Sequence, residues 1–222
     1  MNRQTSLRGE GKRIGNTYTL RQLAASARRF VPLAPRAGLV WGLRRMDPAF
    51  REEVMLTVAR TNGCRYCSFV HQEWAIRAGV SDEEIAQLEG TDPAHFDRAR
   101  WSALVYARSL AESNFQSVPA EVLADVGKHH SRGEQRNVEA VALVMHIVNR
   151  SANTMDALAS RLRGVPASES IPAEIAITAA LFAVGPVIVP VLSLILRKSP
   201  LRLLREFRAF TAGDPTRNGQ AA

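Results

Sequence analysis

The apolar residues of this chain recur at helical spacing almost throughout, and helix-capping signals divide the pattern into separate segments. Asp47-Pro48 is typical of a helix N-cap followed by proline, and it predicts a helix over about 48–61 that ends at Asn62-Gly63. We found no convincing strand pattern, so the sequence predicts an all-α helical bundle. The further predicted helices run from Cys64 to about Ala78, from the Ser81–Glu84 capping box to about Glu89, from Asp92-Pro93 to about Ser113, from Pro119, and after Gly133 to about Arg163.

The composition changes after residues 164–166, and the C-terminal part differs from the rest. Residues 175–196 include no charged side chain, and this uncharged stretch is long enough for one membrane-spanning helix. Pro186 and Pro190 interrupt this stretch, however, and favour two short buried helices as the alternative. The following residues predict a basic amphipathic helix, suited to an anionic membrane surface or to a partner. Its basic and apolar residues are Arg197, Lys198, Arg202, Arg205 and Arg208, with Leu201, Leu204, Phe207 and Phe210.

The net charge of +8 belongs to the two ends of the 222-residue chain. Residues 1–45 carry ten Lys and Arg against one acid, whereas residues 46–196 carry thirteen against eighteen. No basic stripe with interleaved aromatic residues is present, so we expect no nucleic-acid partner. No secretory segment follows Met1, and we expect a cytoplasmic protein, with membrane association as the open alternative.

These observations predict an organisation in four parts. Residues 1–16 form a flexible basic N-terminus, and 17–166 form the helical domain. Residues 167–212 form the C-terminal apolar and basic amphipathic helices, and 213–222 form a flexible tail.

Cys64 and Cys67 are the only cysteines, and they lie three positions apart. In a reducing compartment such a pair is more often catalytic or metal-binding than structural. The pair falls in the first turn of a predicted helix, where backbone N–H groups favour a thiolate. His71 lies one turn beyond Cys67 and can exchange a proton with its sulfur, and folding across Asn62-Gly63 would bring Glu52 close. Trp74 shares the inward face and is expected to line a partly buried pocket.

Other interpretations of these residues stay open at this point. The cysteines can be inert packing residues. Cys64, Cys67 and His71 can supply three ligands of a zinc site, with His129 or His130 as the fourth. A second polar set, His146, Asn149, Arg150 and Asn153, predicts either a pocket mouth or, in preference, buried hydrogen bonds within or between subunits.

The segment from Glu52 to about Leu88 resembles the carboxymuconolactone decarboxylase family, within it the alkyl hydroperoxidase D (AhpD)-like branch. The residues that carry the resemblance are Glu52, Asn62-Gly63-Cys64-Arg65-Tyr66-Cys67, His71, Ala75, Gly79-Val80-Ser81 and Glu84-Ile85.

The resemblance implies an AhpD-like helical bundle and a peroxidase or disulfide reductase that acts through the cysteine pair. It implies that Cys67 passes through a sulfenic acid, that Cys64 closes the disulfide, and that Glu52 and His71 relay protons. It also implies a trimer or hexamer, no bound cofactor or metal, and an external dithiol donor such as a lipoyl protein.

Tyr66 is the one departure from the AhpD pattern, which has a second relay histidine at this position. A phenol titrates near pH 10 and is the poorer shuttle, so we expect Tyr66 to modulate the rate. The predicted function is therefore a thiol-dependent antioxidant oxidoreductase acting on a hydroperoxide or disulfide. The alternatives are a redox sensor or membrane-associated oligomer on the same fold, and a non-redox decarboxylase-like enzyme.

Overall fold

The computed structural model describes residues 15–88 and 96–211, and within them every regular element is helical. This confirms the predicted all-α class. A 3-10 turn at Val31–Leu33 joins the first two helices. The α-helices are α1 Leu20–Phe30, α2 Ala34–Gly42, α3 Pro48–Thr61, α4 Arg65–Arg77, α5 Asp82–Gln87, α6 Arg98–Glu112, α7 Ala120–His129, α8 Arg132–Arg161, α9 Ile171–Leu196 and α10 Pro200–Thr211.

Helix α3 is the centre of the bundle. Every residue from Glu52 to Ala59 is buried, so this helix has no solvent-facing stripe in its middle. It packs against α4, α6 and α8, and the apolar core forms around these contacts. A helix buried on all sides must also bury its polar side chains, and Glu52 and Glu53 are both buried in this way.

Three predicted helix starts are present in the structure. Asp47 accepts a hydrogen bond from the Phe50 N–H at 2.9 Å, as an N-cap does. Ser81 and Glu84 form the capping box of α5. Pro119 occupies the N-cap position of α7.

Two other helices begin at positions that differ from the predicted ones. Helix α6 begins at Arg98, because Asp97 is extended and its side chain accepts the Arg100 N–H at 2.8 Å. The predicted Asp92-Pro93 start lies outside the described residues, and so does the predicted end of α5 at Glu89. Helix α8 begins at Arg132 rather than after Gly133, because Ser131 forms a capping box with Glu134.

Helices α9 and α10 form the predicted C-terminal extension, with one correction. Helix α9 is continuous from Ile171 to Leu196 with Pro186 and Pro190 inside it, so the expected division into two short buried helices was wrong. Its base is fixed to α8, where Arg161 donates two hydrogen bonds to Glu174 at 2.7 and 2.9 Å. In the part of the chain that the structure describes, no helix has the length and apolarity needed to cross a bilayer.

Two residues that we assigned to the basic N-terminus pack against the helical domain. The Asn16 N–H donates to the Asn62 carbonyl at 3.0 Å, and the Asn16 carbonyl accepts from Asn153 Nδ2 at 3.1 Å. The boundary predicted at residue 16 therefore moves to include Gly15 and Asn16. Residues 1–14 and the tail at 213–222 lie outside the described residues.

Candidate active site

The turn between α3 and α4 places the two cysteines. Gly63 adopts φ +65°, a left-handed conformation that glycine takes without strain, and it ends α3. Cys64 follows as the N-cap of α4, and its own N–H donates to the Ala59 carbonyl at 2.9 Å. Both sulfurs therefore lie at the N-terminal end of α4, as the sequence predicted.

The two cysteine side chains are in direct contact. Both are free thiols, and their sulfurs are 2.7 Å apart. The Cys67 N–H also points at Cys64 Sγ at 3.4 Å. Cys64 is 0% exposed and Cys67 is 7% exposed, so solvent reaches only the second residue of the pair. The hydrogen bond with Cys64, followed by burial, raises the pKa of the Cys67 thiol well above its usual value.

Glu52 and His71 meet across the α3–α4 pair. His71 Nδ1 lies 2.8 Å from Glu52 Oε2, and Arg51 donates to Glu52 Oε1 at 3.2 Å. Glu53 points elsewhere and forms an ion pair with Arg100. The structure thus brings together Glu52 and His71, two of the predicted site residues. It also distinguishes Glu52 from Glu53, which has a different partner.

His71 makes no hydrogen bond to either sulfur in the described part of the chain. Its ring instead packs edge-on against Trp74, with 5.0 Å between the ring centroids. Its Nδ1 is engaged by Glu52, which leaves Nε2 as the nitrogen available to a substrate or to solvent. The direct proton exchange between His71 and Cys67 that we expected from their spacing is therefore not formed in this arrangement.

A cavity of about 610 Å³ opens beside the Glu52–His71 pair. Its walls are mostly apolar, and Arg51 and Arg77 add positive charge. Trp74 lines it, in agreement with the inward stripe seen in the sequence. The remaining lining residues are Trp41, Pro48, Met55, Ala78, Val144, Met145 and Val148.

The hydroxyl of Tyr66 is bonded away from the sulfurs. It donates to Asp156 Oδ1 at 2.6 Å, and Arg65 donates to both Tyr66 Oη and Asp156. Burial and the hydrogen bond with Asp156 raise the pKa of Tyr66 to about 12. The Tyr66 ring stacks on Phe207 of α10, with 4.9 Å between the centroids. Sequence reasoning missed Asp156 and Phe207 as partners, because they lie about 90 and 140 positions away.

The second polar set does not line the described cavity next to His71. Arg150 donates to the Thr17 carbonyl and to Asn114, and Asn153 donates to the Asn62 carbonyl at 2.8 Å. These two residues make the buried hydrogen bonds that we expected. His146 and Asn149 are also buried, but their side-chain nitrogen and oxygen atoms have no hydrogen-bond partner among the described residues.

The zinc alternative finds no support in the arrangement of side chains. Within the residues that the structure describes, no three His, Cys, Asp or Glu side chains are grouped as metal ligands. His130 Nε2 lies 2.8 Å from the Ala99 carbonyl, and its ring stacks on Phe50. Neither it nor His129 joins the cysteine pair as a fourth ligand.

The fold and the site together define an all-α protein with a contacting pair of thiols at a helix N-terminus, beside a buried glutamate–histidine pair. Residues 33–109 match the model of the carboxymuconolactone decarboxylase family, so this part of the chain, about a third of its length, is similar to that family. The matched segment includes all four predicted catalytic residues. Searches of curated proteins and of solved structures found no match.

Proposed function

We propose that this chain is a thiol-dependent oxidoreductase, a peroxidase or disulfide reductase, that cycles Cys64 and Cys67 between dithiol and disulfide. The observation that carries the proposal is the 2.7 Å contact between the two sulfurs at the start of α4. A disulfide needs sulfurs about 2.05 Å apart, so the two thiols already lie close to bonding distance. The match of residues 33–109 to a family that includes AhpD-like peroxidases supports the same chemistry.

With a hydroperoxide, Cys67 acts first. Its thiolate attacks the terminal peroxide oxygen, an S–O bond forms, and the O–O bond breaks. The alcohol leaves with a proton, and Cys67 becomes a sulfenic acid. Cys64 Sγ then attacks Cys67 Sγ, the S–O bond breaks, and water leaves as the disulfide forms. The external dithiol donor returns two electrons and two protons by thiol–disulfide exchange.

The exposure of the two residues supports this order. A substrate can reach Cys67, which is 7% exposed, whereas Cys64 is fully covered. The raised pKa of Cys67 means that a base must remove its proton before it attacks. The Glu52–His71 pair is the acid–base group nearest along the helix, and a bound water or the substrate itself would connect it to the sulfur.

The cavity supports an organic substrate rather than a small polar one. Its lining includes Glu52 and His71 but neither cysteine. The apolar walls can hold the carbon chain of an organic hydroperoxide, whose reacting group would extend past His71 toward Cys67. We propose a small dithiol or a lipoyl group on a partner protein as the donor, and a trimer or hexamer as the assembly. Tyr66 acts by holding α4 to Asp156 rather than by moving protons.

The test is consumption of cumene hydroperoxide with dithiothreitol or dihydrolipoamide as the donor. We expect steady turnover that Cys67→Ser abolishes, and Cys64→Ser should permit a single oxidation without a disulfide. Glu52→Gln should lower the rate about a hundredfold or more, as expected for loss of an acid–base group. Glu83→Gln, at an exposed glutamate of α5, is the matched control and should keep the full rate.

Two outcomes would contradict the proposal. One stoichiometric oxidation of the native protein, without turnover on any dithiol, would identify a sensor instead of an enzyme. Activity that survives replacement of both cysteines by serine would identify a non-redox enzyme on this fold.

A further inference from the structure

The outer half of α9 exposes most of the apolar side chains that the structure describes there. From Phe182 to Leu194, each side chain that the structure describes is exposed except that of Ser193. Phe182 is 69% exposed and Leu194 is 78% exposed, and Leu201 at the start of α10 is 76% exposed. A monomer in water rarely leaves large apolar side chains together in this way, so the surface needs a covering partner.

Positive charge surrounds this apolar surface. Glu206 is the only acid between residues 175 and 211, and it is already paired with Lys198 and Arg202. Arg197 follows α9 directly, and Arg205 lies on the exposed face of α10. The partner must therefore offer both an apolar interior and negative charge.

Helix α1 adds to the same charge. Its Leu23 packs against the cluster that Tyr18, just before α1, forms with Ala173 and Ile177 near the base of α9. Arg21, Arg28 and Arg29 of α1 are exposed, and no acid occurs between residues 11 and 46. Helix α1 thus adds exposed positive charge near the base of α9, and Arg197 and Arg205 add it beyond the outer half.

A second copy that presents the same patch is the wrong occupant for this surface. In a symmetric dimer the same patch meets itself, so Arg197 and Arg205 would face the arginines of the partner copy. Such like charges at an interface oppose association. An anionic phospholipid bilayer satisfies both requirements, because its head groups attract arginine and its acyl region accepts apolar side chains.

We propose that the outer half of α9, with Leu201 of α10, docks on the surface of an anionic phospholipid membrane. The apolar side chains enter the boundary between head groups and acyl chains, and the arginines remain at the level of the head groups. The Arg161–Glu174 contact fixes the base of α9 to the bundle, so docking gives the domain a defined orientation on the membrane.

The experiment is flotation of the full chain with vesicles of phosphatidylcholine and phosphatidylglycerol (3:1), beside vesicles of phosphatidylcholine alone. We expect binding to the anionic vesicles and much weaker binding to the neutral ones. The variant Phe182→Ser/Leu194→Gln/Leu201→Gln should lower the partition coefficient more than about a hundredfold, since each large side chain contributes strongly on burial. Arg197→Asn/Arg205→Gln should lower it about thirtyfold.

Leu123→Gln, at an exposed leucine of α7, is the matched control and should bind like the native protein. Circular dichroism of each variant checks that the helices are retained. Equal binding of the native chain and the triple variant, equal binding to both vesicle types, or no flotation at all would each overturn the proposal. So would an oligomer of any size in vesicle-free solution that the triple variant dissociates, because it would show that a second copy covers the surface.

Discussion

His146 should make this protein sensitive to acid, and replacing it with methionine should remove that sensitivity. The imidazole is 1% exposed and lies between the rings of Tyr18 and Phe115. Neither ring nitrogen has a hydrogen-bond partner among the described residues. Burial, followed by the charge of Arg150, lowers the pKa of His146 to about 3, so the folded protein holds the neutral ring.

The size of the effect follows from the two pKa values. An exposed histidine in the unfolded chain titrates near 6.5, whereas the folded pKa is about 3. The unfolded state therefore binds the proton more readily, and the free energy of unfolding falls as the pH drops below 6.5. From this difference the loss at pH 5.5 is about 1.4 kcal/mol, and at pH 4.5 it is about 3 kcal/mol.

Methionine has a similar volume and no group to protonate, so His146→Met isolates this contribution. The assay is urea unfolding of the native protein and the variant at pH 7.5, 5.5 and 4.5, followed by tryptophan fluorescence. We expect the variant to be at least as stable at pH 7.5, because no unpartnered polar nitrogen remains buried. Its advantage should then grow by about 1.4 and about 3 kcal/mol at the two lower pH values.

Comparing two proteins at each pH cancels every other titrating group they share. His129→Met, at an exposed histidine of α7, shows the effect of removing a histidine elsewhere. A stability difference between His146→Met and the native protein that stays constant from pH 7.5 to 4.5 would refute the reasoning. It would mean that the folded protein accepts a proton at His146, through a partner or a local opening.

Three further outcomes follow from other buried groups. Alkylation of Cys67 by iodoacetamide should keep rising above pH 9, and Cys64→Ala should shift that profile to lower pH by removing the largest cause of the raised pKa. Burial raises the pKa of Glu53 to about 7, so its stabilising effect is present below pH 4.5 and is lost as the pH rises through 7. Urea unfolding should therefore show Glu53→Gln gaining up to about 3 kcal/mol on the native protein between pH 4.5 and 7.5. Phe207→Ala removes the ring stacked on Tyr66, and limited trypsin digestion should show α10 cleaved about tenfold faster or more, whereas equal rates would contradict the contact.

The helix starts that could be predicted are those set by neighbouring residues. Asp47 and Ser81 accept hydrogen bonds from N–H groups three positions away, so a segment of four residues contains both partners of each cap. The continuity of α9 could not be predicted in this way. Pro186 and Pro190 remove hydrogen bonds to the carbonyls of Phe182 and Pro186, and both of those residues are exposed, where water can replace the lost donors.

The features of the candidate site that could be predicted are likewise those set within one helix. The spacing of Cys64, Cys67 and His71 predicted one shared helical face, because that geometry depends on α4 alone. Glu52 and Glu53 could not be separated by spacing, since adjacent residues on a helix point about 100° apart and α3 is buried on all sides. The hydrogen-bond partner of Tyr66 could not be predicted either, because Asp156 comes from a distant helix.

The turn that positions the thiols is fixed from outside the α3–α4 segment. The backbone at Gly15 passes so close that a Cβ there would lie 2.2 Å from the Asn62 carbonyl oxygen, so only glycine fits. The Asn62 carbonyl accepts hydrogen bonds from the Asn16 N–H and from Asn153 Nδ2. These two bonds hold the turn to the segment before α1 and to α8. Because the turn is tied on two sides, a change in the redox state of Cys64 and Cys67 must be accommodated by their side chains. The site is built on the α3–α4 helix pair, yet the position of its turn depends on Gly15, Asn16 and Asn153, which lie outside that pair.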